Sequence, residues 1–342
     1  MNLPISEKPF GTYKGKPVTE FTLQNKNGMQ LSVINYGATI TRIITADKQQ
    51  QFANVVNGFD TLDEYLHNSA QYICCIVGRY CNRIAAGSFK LNGETYTLAR
   101  NNGNNSLHGG VHGFDKAWWK IEKQTTDNSL IATYLSEDGE EGFPGNLKVT
   151  VKYTLSEENE LIINYTAQTD KPTVINLTSH GYFNLTGSMD TPITDHELQL
   201  MAETYTSVDD GLIPTGNIAA VGNSPLDFTR AKKIGKDIAE VDGYDHNFII
   251  NRKKDELENQ LVETAVVFEP TTGRIMEMFT TEPAVQFYSG NLKPVNGQQY
   301  GFCLEAQHYP DSPNKPSFPN TILRPNEIYQ QTTIYKFSTK MQ

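Results

Sequence analysis

Short runs of alternating apolar and polar residues, separated by turn-forming pairs, recur along nearly the whole chain, and this pattern restricts the fold more than any other feature. V-T-E-F-T-L-Q meets M-Q-L-S-V-I-N-Y across Asn27-Gly28, and F-K-L meets E-T-Y-T-L across Asn92-Gly93. An Asn-Gly pair between alternating runs signals a hairpin, because both residues tolerate the positive φ of a tight turn. Asp138-Gly139, Pro144-Gly145 and Thr272-Gly273 punctuate further runs. Helix signals are few. Asp60 is placed to cap a short helix through Thr61, Leu62, Tyr65 and Leu66. R-A-K-K-I-G-K-D-I-A-E-V, with Ile234 and Ile238 four apart, reads as a short surface helix. Strands do not alternate with long helical segments, so the pattern argues for an all-β sandwich or barrel. No linker or composition break divides residues 1–342, and one domain is expected.

Charge narrows the function classes. With 29 basic against 39 acidic residues the net charge is -10, the wrong sign for a nucleic-acid or anionic-membrane surface. No apolar run approaches the roughly 20 residues of a membrane helix. The amino terminus has neither the basic nor the apolar region of a secretion signal, which predicts a cytoplasmic protein. Cys74, Cys75, Cys81 and Cys303 form no C-x-x-C pair, and the adjacent Cys74 and Cys75 read as small buried hydrophobes. No metal-ligand spacing occurs, so neither a metal nor another cofactor is expected.

Four stretches place unusual polar groups on strands or rigid loops. In I-N-L-T-S-H-G-Y-F-N-L, strand alternation puts Asn176, Thr178, His180, Tyr182 and Asn184 on one face, uncharged and rich in donors and acceptors, as suits a polar pocket wall. Arg83 follows Asn82 ahead of A-A-G. The Gly- and Asn-rich run 101–113, too irregular for regular structure, carries His108. In Y-D-H-N-F, Asp245 and Asn247 share one side, with Tyr244, His246 and Phe248 on the other. In F-C-L-E-A-Q-H-Y, Glu305 shares a face with Cys303 and Gln307, and a carboxylate flanked by Leu and Ala is costly to bury unless partnered. Each has a structural alternative: Arg83 as an ion-pair partner, His108 as loop packing, Asp245 as a turn brace. His112 and His308 read as structural or rim residues, and His67, His196 and His246 as unremarkable.

The run N-L-T-S-H-G-Y-F-N-L resembles the active-site signature of the aldose 1-epimerases, the galactose mutarotase family. Further blocks stand in family order: N-Y-G-A, G-F-D-T-L-D-E-Y, L-H-G-G, G-F-P-G, Y-D-H-N-F, A-V-Q-F-Y-S-G-N and L-E-A-Q-H-Y-P-D-S-P-N. Ser179 stands where the family usually has Asn, and Asn326 where a turn glycine is usual; Asn tolerates the left-handed conformation, so that turn is expected to persist. The resemblance implies a large antiparallel β-sandwich, a mutarotase-like supersandwich with a few short helices, that takes a free aldohexose and interconverts its anomers without a cofactor. It implies Glu305 as general base and His180 as general acid. Asn82, Arg83, His108, Asp245 and Gln286 match the sugar-binding set, with His108 near the ring oxygen, and Tyr288 the aromatic that packs on the sugar. Asn176 and Tyr182 are expected to support the imidazole or line the cleft.

Mutarotation opens a hemiacetal by taking the anomeric hydroxyl proton while protonating the ring oxygen, then recloses it on the other face. The reaction needs an ionised base and a protonated acid. The expectation is therefore an imidazole raised by a nearby carboxylate, a base kept ionised by Arg83 or by a protonated histidine, and the two groups on opposite sides of the sugar ring. A non-catalytic sugar-binding protein and a glycoside hydrolase using Asp245 and Glu305 are the alternatives; a hexose-phosphate epimerase would want a basic phosphate pocket that the sequence does not offer.

Overall fold

A computed structural model describes residues 3–253, 259–290 and 300–340. Among them the strands assemble into three large antiparallel sheets and several two-stranded ladders. The chain opens with a five-stranded meander: Ser6–Tyr13, Lys16–Gln24, Gln30–Ile34, Ile40–Ala46 and Phe52–Asn54. A nine-stranded sheet follows, in the spatial order Lys120–Gln124, Ser129–Ser136, Leu147–Leu155, Glu160–Thr169, Tyr329–Thr339, Arg274–Thr280, Val262–Phe268, Glu197–Leu200 and Lys232–Lys233. The third sheet orders Pro214–Ala220, Thr204–Val208, Asp245–Ile249, Ala284–Tyr288 and Cys303–Gln307. Along Leu147–Leu155 and Glu160–Thr169 burial alternates residue by residue. Val149, Val151, Ile163 and Tyr165 enter one apolar core with Leu31, Val33 and Ile43 of the meander and Phe287 and Leu304 of the third sheet. The fold is all-β with a few short helices.

The turn signals fare differently in detail. Leu91 pairs with Glu94 across Asn92 and Gly93, both at positive φ, a two-residue hairpin turn. At Asn27-Gly28 the connection is wider, closed by the Asn25 N–H on the Met29 carbonyl. Thr272-Gly273 joins paired strands, and Asn326 takes φ 72°, as expected of an Asn in a glycine's place.

Both helix expectations need correction. The helix Leu62–His67 is capped by Thr61, whose hydroxyl accepts from the Glu64 N–H while the Glu64 carboxylate accepts from the Thr61 N–H. Asp60 instead pairs with Arg42. Residues 230–241 form no α-helix: Lys232–Lys233 extends the nine-stranded sheet and only Ile238–Glu240 makes a single 3-10 turn. Gly235 breaks the pattern where a Cβ would stand 2.7 Å from Thr194, and Ile234, fully buried, docks against the sheet rather than facing solvent.

Candidate active site

The third sheet builds one wall of the site by register alone. Asp245 pairs with Tyr288, and Tyr288 with Cys303; one step along, Asn247 pairs with Gln286, and Gln286 with Glu305. Residues two apart on a strand share a face. Two adjacent rows therefore place Asp245, Tyr288 and Cys303 beside Asn247, Gln286 and Glu305.

The opposite wall comes from crossing segments. Thr178–Ser179 pairs with Ile76–Val77, the His180 N–H donates to the Cys75 carbonyl and the Cys74 N–H to the His180 carbonyl. Only Thr178–Ser179 of the signature run is a strand, and Thr173 to Leu185 are buried throughout, so the alternation marks no solvent face. Ser106–Leu107 pairs with Arg83–Ile84, which brings Asn82 and His108 together: the His108 N–H donates to the Asn82 carbonyl and the Asn82 N–H to His108 Nδ1. The next residue, Gly109 at φ 85°, lies so close to Gly78 that a Cβ would stand 2.0 Å from its carbonyl oxygen, so only glycine fits.

These walls enclose a pocket of about 590 Å³ lined by Asn82, Arg83, His108, His180, Tyr182, Asp245, Tyr288 and Glu305. His180 Nε2 lies 3.7 Å from Glu305 Oε1, and both residues are almost fully buried. Arg83 reaches Asp245 at 3.5 Å and is steadied by Asn102. Gln286 is buried within the third-sheet wall: its amide donates to Asp245 Oδ1 at 2.6 Å, and Gln307 in turn donates to Gln286 and Asn247. Asn176 clamps the end of the Glu305 strand through both backbone groups of His308. Tyr182 stands 5.0 Å from the His180 ring, its hydroxyl donating to the Gln71 carbonyl. Tyr72, which no sequence signal singles out, packs 4.5 Å from the His108 ring and 6.1 Å from that of His180, with its backbone at φ 53°. Leu212, Val241 and Asp242 complete the rim. A larger cleft of about 920 Å³ has Glu282 and His308, an ion pair, in its lining and shares no lining residue with this pocket.

Burial governs the protonation states. Desolvation lowers His180 to about 4, so the imidazole is neutral. Desolvation, reinforced by the Asp245 charge and opposed by Arg83, raises Glu305 well above the ordinary carboxylate range. Both shifts run against the expectation of a carboxylate-raised imidazole and a readily ionised base, because removing either charge from water outweighs their attraction. The acid–base pair also stands side by side rather than across a ring: an intervening sugar ring would need about 7 Å, two van der Waals contacts. Glu305 Oε2 has no hydrogen-bond partner among the described protein groups.

Among the described residues, His108, His180 and Glu305 are the one cluster with three metal-ligating atoms within 4.8 Å. His108 is held neutral by burial. Because its Nδ1 accepts from the Asn82 N–H, its proton sits on Nε2, which is then a donor suited to an oxygen rather than a lone pair suited to a cation.

Fold and site together define a large antiparallel β-protein with a buried histidine–glutamate pair in a polar pocket. The sequence pattern described as aldose 1-epimerase matches residues 19–336, and the chain belongs to that family. It is 43% identical to the galactose mutarotase of Homo sapiens over 98% of this chain and 97% of that one, and 37% identical to the aldose 1-epimerase of Escherichia coli K12 over 92% and 93%. The crystal structure of galactose 1-epimerase from Lactobacillus acidophilus superposes with a TM-score of 0.85 at 29% identity, covering 99% of both chains. An aldose epimerase homologue from C. elegans gives 0.85 at 30% identity, over 93% and 98%.

Proposed function

We propose that this protein is a mutarotase for free aldohexoses such as D-glucose and D-galactose, acting in the cytoplasm without a cofactor. The observation that carries the reading is the buried His180–Glu305 pair, 3.7 Å apart, opening on a pocket with hydroxyl-binding groups. The two oxygens that exchange protons in mutarotation are both bonded to the anomeric carbon, so an acid and a base held side by side match them. Glu305 takes the anomeric hydroxyl proton and His180 protonates the ring oxygen, with His108 Nε2–H as a further donor. Asn82, Arg83 and Asp245 hold the remaining hydroxyls, and Tyr288 offers its ring to the apolar face of the sugar.

Burial draws the pair's shared proton toward Glu305, and the reactive form needs it on His180. Hydroxyls that bond to the Glu305 carboxyl stabilise the carboxylate and favour that transfer. Acid or base help is worth about 10²- to 10⁴-fold per group. The test is polarimetry on freshly dissolved α-D-glucose or α-D-galactose. Accelerated decay of optical rotation by the wild type, and its loss in Glu305→Gln and His180→Asn, are expected; near-wild-type rates in either variant would sink the assignment.

A further inference from the structure

His180 is enclosed by ring faces and edges: Tyr72, His108, Tyr182 and Tyr288 all lie within 6.4 Å of its ring. Its Nε2 faces Glu305. At the other ring nitrogen stands a thiol: Cys303 Sγ is 3.5 Å from His180 Nδ1, and Cys303 is fully buried. Cys303 and Glu305 lie two apart on one strand and one face, so one backbone segment sets both contacts of the imidazole. A thiol accepts or donates weakly and is neutral.

We propose that Cys303 is a positioning residue for the acid–base pair: its sulfur accepts the His180 Nδ1–H and holds the imidazole in the tautomer whose Nε2 is free to exchange a proton. The proposal rests on the mutarotase reading. In ring opening the anomeric O–H proton passes to a Glu305 carboxylate oxygen and its electron pair forms the C1 carbonyl. The bond from C1 to the ring oxygen breaks, its pair stays on that oxygen, and the oxygen takes the Nε2 proton of His180. Reclosure reverses each transfer. Nδ1 keeps its proton at every stage. A neutral imidazole in the other tautomer carries its proton on Nε2, where it can neither accept one nor give one up short of forming an imidazolate.

The choice of sulfur has a second consequence. A carboxylate at Nδ1 would stabilise the imidazolium and weaken it as an acid, whereas a neutral acceptor orients the ring without doing so. Burial keeps the Cys303 thiol itself protonated.

The experiment compares Cys303→Ser, which keeps a neutral acceptor, with Cys303→Val, which keeps the bulk and removes it. Cys303→Ser is expected to stay within about threefold of wild-type kcat, and Cys303→Val to lose about tenfold in kcat with little change in KM, because the wrong tautomer withdraws a transition-state interaction. Nitrogen-15 NMR of the His180 ring reports the tautomer directly: Nδ1–H in the wild type and the serine variant, a shift toward Nε2–H in the valine variant. Cys303→Ala repeats the measurement where valine disturbs the fold. An unchanged tautomer in both apolar variants overturns the proposal, even with a loss of rate. If Glu305→Gln and His180→Asn abolish activity while Cys303→Val leaves rate and tautomer unchanged, this inference alone fails; if those two remain active, the mutarotase reading fails with it.

Discussion

Replacing Glu305 by Gln is expected to make the protein more stable and, at the same time, almost inactive. Glu305 is 2% exposed, and its Oε2 has no hydrogen-bond partner among the described protein groups. A buried polar group left unsatisfied costs about 1–3 kcal/mol, and a charged one more. Glutamine keeps the shape and cannot ionise. With its folded pKa raised above the ordinary 4.5, Glu305 contributes its full stability below that value, where both folded and unfolded chains hold the proton. As pH rises the unfolded chain releases the proton first, so stability is lost as pH climbs toward the folded pKa. The glutamine variant has no such loss. Its advantage should be near zero at pH 4.5 and grow as pH rises toward the folded pKa. A chain of 342 residues unfolds with an entropy of about 0.7 kcal/mol/K, so each 1 kcal/mol of gain appears as about 1.4 °C in Tm.

The assay is a pair of thermal or urea unfolding curves, wild type and Glu305→Gln, at several pH values from 4.5 to 8, with polarimetric kcat on the same samples. Lost activity with a stability gap that widens with pH is the expected outcome. A variant less stable than the wild type at pH 8, or a gap independent of pH, would refute the claim that burial of this carboxyl is uncompensated.

His196 provides the opposite sign. It is fully buried, accepts the Leu185 N–H at Nε2, and is lowered by desolvation to about 4. The unfolded chain therefore takes up a proton at pH 6.5 that the folded one refuses, and stability falls between pH 6.5 and 4 by about 3 kcal/mol. Urea unfolding of His196→Gln should show that much less acid sensitivity than the wild type; parallel pH profiles would count against it. Gln286→Leu should raise KM several-fold with kcat less affected, because the amide that orients Asp245 is removed while His180 and Glu305 are untouched; an equal loss in kcat would make Gln286 a direct contributor to the chemistry. Gly109→Ala should lower stability by more than about 3 kcal/mol, combining a steric clash with a left-handed backbone, measurable as a fall in Tm or in soluble yield. Thr61→Ala should cost about 1 kcal/mol through the lost helix cap, and a change in Cm too small to detect would show that the helix is held by Leu62 and Tyr65 alone.

Local chemistry made the hairpins legible. Asn92-Gly93 and Thr272-Gly273 specify turns by backbone conformations that few other residues adopt, and the strands around them alternate because one side is buried. The helix expected at 230–241 failed because a four-residue spacing of Ile234 and Ile238 is weak periodicity, and tertiary contacts won: Ile234 docks against the sheet, and Gly235 fits a gap beside Thr194. The signature run reads as a two-faced strand for a related reason. Its backbone is held by crossing segments from both sides, so most of it never joins a ladder, and polar side chains such as Asn176 and Asn184 spend their bonds on loop backbone.

The site's residue types were legible, but its electrostatics were not. Asp245 and Glu305 stood out by their own alternation and Gln286 by the family resemblance, whereas Tyr72 lies in Q-Y-I-C-C-I, which reads only as core. Protonation is further still from sequence, because it depends on how much water the assembled walls exclude. The sequence invites a charged imidazolium beside a charged carboxylate. Burial disfavours both charges, lowering the imidazole and raising the carboxyl, and a pair drawn toward neutrality holds an acid and a base without the full cost of two desolvated charges. On the proposed reading, a sugar hydroxyl bonded to the Glu305 carboxyl shifts that balance toward the ionised base, so binding itself turns the pair into its reactive form. The pH dependence of turnover should accordingly belong to the pair as a unit rather than to His180 or Glu305 separately.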